Sequence, residues 1–175
     1  QKNLKVYLHL LIGGSEYTPK WVNEGGLPAE ALQQLMRDRI TAILTRYKGR
    51  IHYVDVVNES LTGKGRKADG HFEWQEKAYR GGEHVWLKTL GMYQGKKYQF
   101  PRYLIEAFRI AREAGGPDLK LILNEWANET TKSGRGLPFL ALIQALREEG
   151  IPVDGAGIQL HCRLKHGMLQ GWANN

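Results

Sequence analysis

The chain has 175 residues, of which 42% are hydrophobic and 25% charged, a globular balance that excludes a disordered chain. A net charge of +7 is spread over both halves with no basic stripe or recognition motif, which argues against a nucleic-acid partner, and no apolar run reaches the ~18 residues of a membrane-spanning helix. The 21 glycines follow no period, which excludes collagen-like and low-complexity repeats, and 175 residues fall short of the ~250 typical of a complete (β/α)8 barrel.

Four short apolar runs read as buried parallel strands: residues 6–12, 51–58, 119–124 and 156–161. After the first run, Pro28 opens a helix in which Leu32, Leu35, Met36, Ile40, Ile43 and Leu44 form one stripe, ending at Gly49. After the second, about 40 residues pass before Pro101, a connection long enough to carry function or small helices, one of them expected at 83–90. Pro101 opens a second helix with Leu104, Ala107, Phe108 and Ala111 on one face and Gly115-Gly116 at its end. A third covers 137–149, with Phe139, Leu142, Ile143 and Leu146 apolar and Gly150 as its stop. This alternation predicts right-handed βαβ units and a parallel sheet.

Chemistry-bearing residues gather where these strands end, the face on which parallel α/β folds build active sites. The second strand ends Asp55-Val56-Val57-Asn58-Glu59, presenting an amide and a carboxyl at its rim. Burial there suits Glu59 to general acid catalysis, while a helix cap or a pairing with Lys is the structural alternative. The third strand ends Asn124-Glu125-Trp126, and two carboxyls on neighbouring strands fit the acid and nucleophile of glycoside hydrolysis. In the fourth, alternation puts Gln159 and His161 on one side. Trp21, Trp74, Trp86, Trp126 and Trp172 include several near the expected rim loops, where aromatic faces are compatible with sugar rings, whereas Trp86 belongs to a core-like helix. His161, Cys162 and His166 match no zinc signature, and the single cysteine excludes an intrachain disulfide. The first residues, from Gln1, carry no Met and no signal-like apolar segment, and Asn174-Asn175 follow no closing element, so both ends are expected to be cut.

Taken together, these segments resemble glycoside hydrolase family 10, the endo-β-1,4-xylanases. The resemblance is collinear and rests on five motifs. They are Thr18-Pro19-Lys20-Trp21, the DVVNE of Asp55 to Glu59, and Trp86 with Leu90-Gly91 followed by the AFR and AREA of Ala107 to Ala114. The LILNEW of Leu121 to Trp126 and the VDGAGIQLH of Val153 to His161 complete the set. The resemblance implies an α/β fold, a fragment of a (β/α)8 TIM barrel, with residues 1–175 as a partial catalytic domain carrying strands 3 to 6. It implies retaining hydrolysis of β-1,4-xylan with Glu59 as general acid/base. Asn58 would meet a sugar hydroxyl, Gln159, His161 and Asn124 would line the cleft, and Trp126 would contact the sugar on the leaving-group side. Glu125, Asp55 and His9 would support them. The family nucleophile, a Glu ending strand 7, has no counterpart in these residues and is expected outside them.

Departures stand beside the matches. A Trp and a His that bind sugar in the family are missing from the stretch Leu10 to Tyr17, and residues 92–102 read as an insertion. Two alternatives therefore remain: a non-catalytic carbohydrate-binding barrel remnant, and a related β-1,4-glycanase of the cellulase or mannanase kind. No cofactor and no metal are implied, the partner is a polysaccharide, and the family resemblance points to a secreted or periplasmic protein. Open barrel edges predict self-association of the isolated piece.

Overall fold

In a computed structural model, residues 4–61, 79, 84–129 and 135–161 are described. The expectations that fall on Trp74, Cys162, His166 and Trp172 lie outside them. Four strands form one all-parallel sheet: β1 (Tyr7–Leu8), β2 (Tyr53–Asn58), β5 (Lys120–Glu125) and β6 (Gly155–Ile158), in the order β1-β2-β5-β6. Helices alternate with them: α1 (Lys20–Glu24), α2 (Ala29–Arg46), α3 (Val85–Leu90), α4 (Arg102–Gly115) and α5 (Gly136–Glu148). A short hairpin of β3 (Met92–Gln94) and β4 (Gln99–Pro101) precedes α4.

The two central strands, β2 and β5, read as apolar runs because both of their faces are covered, whereas the outer strands β1 and β6, expected to be buried, keep exposed residues such as Tyr7 and Ile158. In β2, Val54, Val56 and Val57 are fully buried, and so is the strand's last residue, Asn58. The helices bury stripes against that sheet. In α2, Leu32, Met36, Ile40 and Leu44 recur every four residues and are all buried, and α2 packs on α4. Tyr103, Leu104, Ala107, Phe108 and Ala111 do the same in α4. That helix stops at Gly116, whose φ of 79° only glycine adopts without strain. Beyond it, Arg112 donates to the carbonyls of Gly116 (2.6 Å) and Leu119 (2.9 Å) and pairs with Asp154 at 2.5 Å. Asp154 also accepts from the Leu121 amide at 2.8 Å, so one ion pair ties α4, β5 and the approach to β6 at the strands' N-terminal end.

Two expectations need correction. The first strand is regular only over Tyr7–Leu8, and pairing with β2 resumes at Leu11 and Ile12, whose amides donate to Asp55 and Val56. The fourth ends at Ile158, short of 161, because Leu160 takes a φ of 48°. Residues 92–101 form the hairpin, whose tip is fixed by Lys96 and Lys97 amides donating to Glu149 at 2.9 and 3.0 Å.

A bulge in β2 sets up the site. Asp55 pairs with Ile122, but Val57 pairs with Leu123, so Val56 is an extra residue. That slip of one puts Asn58 directly beside Asn124, which in turn pairs with Gly157. Paired residues of a parallel sheet point to the same face, so the extra residue re-aims the end of the strand.

Candidate active site

The rim is built from the ends of β2, β5 and β6. Glu59, Ala127 and Leu160 have φ of 57°, 53° and 48°. They are the only non-glycine residues with positive φ among the described residues, and each lies one or two positions beyond a strand end. Such conformations cost energy and gather where a fold holds side chains for function.

Glu59 is buried, and its Oε1 is the meeting point of three donors. Gln159 Nε2 donates to it at 3.0 Å, Tyr17 Oη at 3.3 Å and Asn58 Nδ2 at 3.4 Å. Its own amide donates to the Asn124 carbonyl at 2.9 Å, continuing the β2–β5 ladder by one rung. Asn58 Oδ1 accepts from Asn124 Nδ2 at 2.9 Å and from Gln159 Nε2 at 3.0 Å, and His161 Nε2 lies 2.8 Å from Gln159 Oε1. One chain of hydrogen bonds therefore joins His161, Gln159, Asn58, Asn124 and Glu59. His161 is exposed and Gln159 half-buried, so the network opens to solvent from the β6 side.

Asn58 has no exposed surface and Asn124 is 6% exposed. Asn58 Nδ2 points to Glu59 and Asn124 Nδ2 to Asn58, so both amides stand directly behind the carboxyl. Gly157 leaves the space that the Asn124 side chain occupies, since a Cβ there would overlap Asn124 Oδ1.

Glu125 is fully buried. Its two oxygens each accept a backbone amide, Oε2 from Leu61 at 2.9 Å and Oε1 from Trp126 at 3.1 Å. Burial pushes its carboxyl up to about 7, against those two amides and Arg135, which favour the charged form. Arg135 Nε lies 4.0 Å from Glu125 Oε1, and its guanidinium sits 3.8 Å over the Trp126 ring. Trp126 remains 37% exposed, a ring braced beneath the rim.

On the β1 side, Asp55 is buried and accepts from Tyr7 Oη at 2.5 Å, and His9 Nδ1 lies 2.6 Å from its second oxygen. Burial, with the adjoining Asp55 carboxylate, holds the Tyr7 hydroxyl well above the usual phenol range. Trp86 is core: it is buried, and its indole donates to Thr18 Oγ1 at 3.2 Å. Among the described residues, no group of three or more His, Cys, Asp or Glu is arranged to hold a metal ion. No helix among them is long and apolar enough to cross a membrane.

The family profile of glycosyl hydrolase family 10 matches residues 1–175. The chain belongs to that family. Endo-1,4-beta-xylanase B of Thermotoga neapolitana is 28% identical over 161 residues, covering 92% of this chain and 39% of that protein. Endo-1,4-beta-xylanase C of Paenibacillus barcinonensis is 32% identical over 168 residues, 91% of this chain and 14% of its own length. Among solved structures, xylanase 10B from Thermotoga maritima superposes with a TM-score of 0.70 at 32% identity, covering 90% of this chain and 41% of that one. Xylanase 10B from Thermotoga petrophila, solved with xylobiose, gives 0.70 at 31%, covering 91% and 41%. This family 10 chain thus spans about two-fifths of the solved xylanases it matches, and its parallel strands and alternating helices are part of a (β/α)8 barrel.

Sequence reasoning missed two residues of this family 10 rim, Tyr17 and Arg135. Tyr17 is one residue from the Thr18-Pro19 motif, a signal of place but not of contact. Arg135 follows a stretch without periodicity, and nothing in the sequence aims it at Trp126.

Proposed function

We propose that this chain carries the acid/base half of a retaining endo-β-1,4-xylanase, acting on xylan or a closely related β-1,4-glycan. Glu59 delivers its proton to the oxygen of the leaving sugar, a second carboxylate attacks the anomeric carbon, and water then releases the glycosyl group with Glu59 as base. One observation carries this reading. A carboxyl at the C-terminal rim of a parallel strand, on a left-handed backbone, has one oxygen fixed by three donors from three segments. A helix cap or a surface ion pair needs no such arrangement.

The other roles follow from exposure. Asn58 and Asn124 hold Glu59 and Gln159 in place. Gln159 and His161 face the open side, where a sugar hydroxyl meets them, and the Trp126 ring offers a stacking face. Glu125 is too enclosed to attack a sugar and is a brace. The attacking carboxylate, about 5–5.5 Å from Glu59 in a retaining pair, is assigned to a strand beyond the described ones. A polymeric substrate of this kind places the work outside the cytoplasm. In the separated 175-residue piece, the outer edges of β1 and β6 favour pairing with a second copy.

The test is Glu59→Ala in the full-length protein. Hydrolysis of xylan should fall by about a thousandfold or more, while an aryl β-xyloside whose leaving group needs no proton should lose far less in its first step. Equal losses on both substrates contradict a proton-donor role. Xylo-oligosaccharide binding without any turnover by the unaltered protein would favour the non-catalytic reading.

A further inference from the structure

Tyr17 belongs to the short 3-10 turn Ser15–Tyr17 that follows β1, and it reaches Glu59 across the sheet order from the side opposite to Gln159. The turn is built rigidly. Tyr17 N donates to the Gly14 carbonyl at 3.0 Å, Thr18 Oγ1 donates to the same carbonyl at 3.0 Å, and Asn23 Nδ2 donates to the carbonyls of Ser15 (2.9 Å) and Thr18 (3.0 Å). The ring lies on Gly13, where a Cβ would stand 2.8 Å from Tyr17 Cδ2. Glycine is therefore what admits the ring. His9, held by Asp55 at 2.6 Å, meets the ring edge-on at 6.4 Å and 83°. The phenol ends 3.3 Å from Glu59 Oε1 with the residue 44% exposed.

We propose that Tyr17 is a positioning residue for the proton donor, holding the Glu59 carboxyl through its hydroxyl on a ring seated by Gly13 and His9. The proposal rests on the acid/base reading of Glu59. Gln159 and Tyr17 grip one oxygen from the two sides of β2, so the carboxyl cannot rotate without breaking one of the two hydrogen bonds. A fixed carboxyl matters most when the leaving oxygen is poor and must receive its proton in the transition state.

Tyr17→Phe removes the hydroxyl and keeps the ring. In the full-length protein, kcat on a xylo-oligosaccharide should fall about tenfold with KM within about twofold, the weight of one hydrogen bond to a charged group. On a nitrophenyl β-xylobioside, whose leaving group needs no proton, the rate constant of the first-step nitrophenol burst, which precedes the base-assisted attack of water, should change by less than about threefold. Equal losses on both substrates would show a merely structural ring, and no loss on either would show an idle hydroxyl; both overturn the proposal. Glu59→Ala is measured alongside. If it stays active on the oligosaccharide, the acid/base reading itself fails. If it is inactive there while Tyr17→Phe matches the parent, only the Tyr17 proposal falls.

Discussion

Glu125 offers a stability test that is independent of turnover. Burial, which disfavours the charge, pushes its carboxyl from an ordinary value of 4.5 up to about 7 in the folded chain. The native state thus binds this proton more tightly than the unfolded state does. The resulting stabilisation is complete below pH 4.5 and is lost as pH rises through about 7. The gap between the two values corresponds to about 3 kcal/mol at 1.36 kcal/mol per tenfold. Glu125→Gln removes the titration and keeps the volume. It also turns an amide NH2 towards one of the two backbone donors, from Leu61 or Trp126, which costs about 1–3 kcal/mol at every pH. Denaturant unfolding of parent and variant between pH 4.5 and 8 should therefore show the variant weaker at pH 5, with the difference shrinking or reversing by pH 8. Other titrating groups cancel in that difference. Parallel curves, with a constant offset across the range, would refute the buried, proton-binding Glu125.

Two further outcomes follow from packing. Gly157→Ala drives a methyl into Asn124 Oδ1 and should break the Asn124–Asn58 hydrogen bond. It should lower kcat by about tenfold or more, with about 1–3 kcal/mol lost in unfolding measurements. Phe108→Ala empties a fully buried position in α4 and should cost about 3–5 kcal/mol in denaturant unfolding, without altering KM in protein that remains folded.

Much of the fold is legible because the central strands β2 and β5 are buried on both faces. A run such as Val54 to Val57 admits few readings, and the α2 stripe repeats at a helical period. The Asn58-Glu59 and Asn124-Glu125 pairs are legible for the same reason, since each ends such a run. What the sequence hides depends on distant parts of the chain. The bulge at Val56 is a relation between two strands and leaves no local mark in a Val-Val step. Whether Asn58 faces a sugar or a neighbouring amide is decided by that slip. The hairpin at residues 92–101 has no alternation long enough to read, and the Glu149 carboxylate just beyond α5 fixes its tip. The left-handed turn at Leu160 cuts the fourth strand short, yet Gln159 and His161 still meet, because the same turn brings both side chains together. Tyr17 reaches Glu59 only through the rigid turn after β1, which no spacing rule foretells.

The central claim is that Glu59 gives and later takes the proton, and azide reads this most directly. With Glu59→Ala in the full-length protein and an activated aryl β-xylobioside, azide needs no base to attack a glycosyl-enzyme intermediate. The account predicts that azide restores turnover and yields a glycosyl azide of β configuration, identified by NMR. An α-configured azide would make Glu59 the nucleophile, and the absence of any azide product would contradict the assignment altogether.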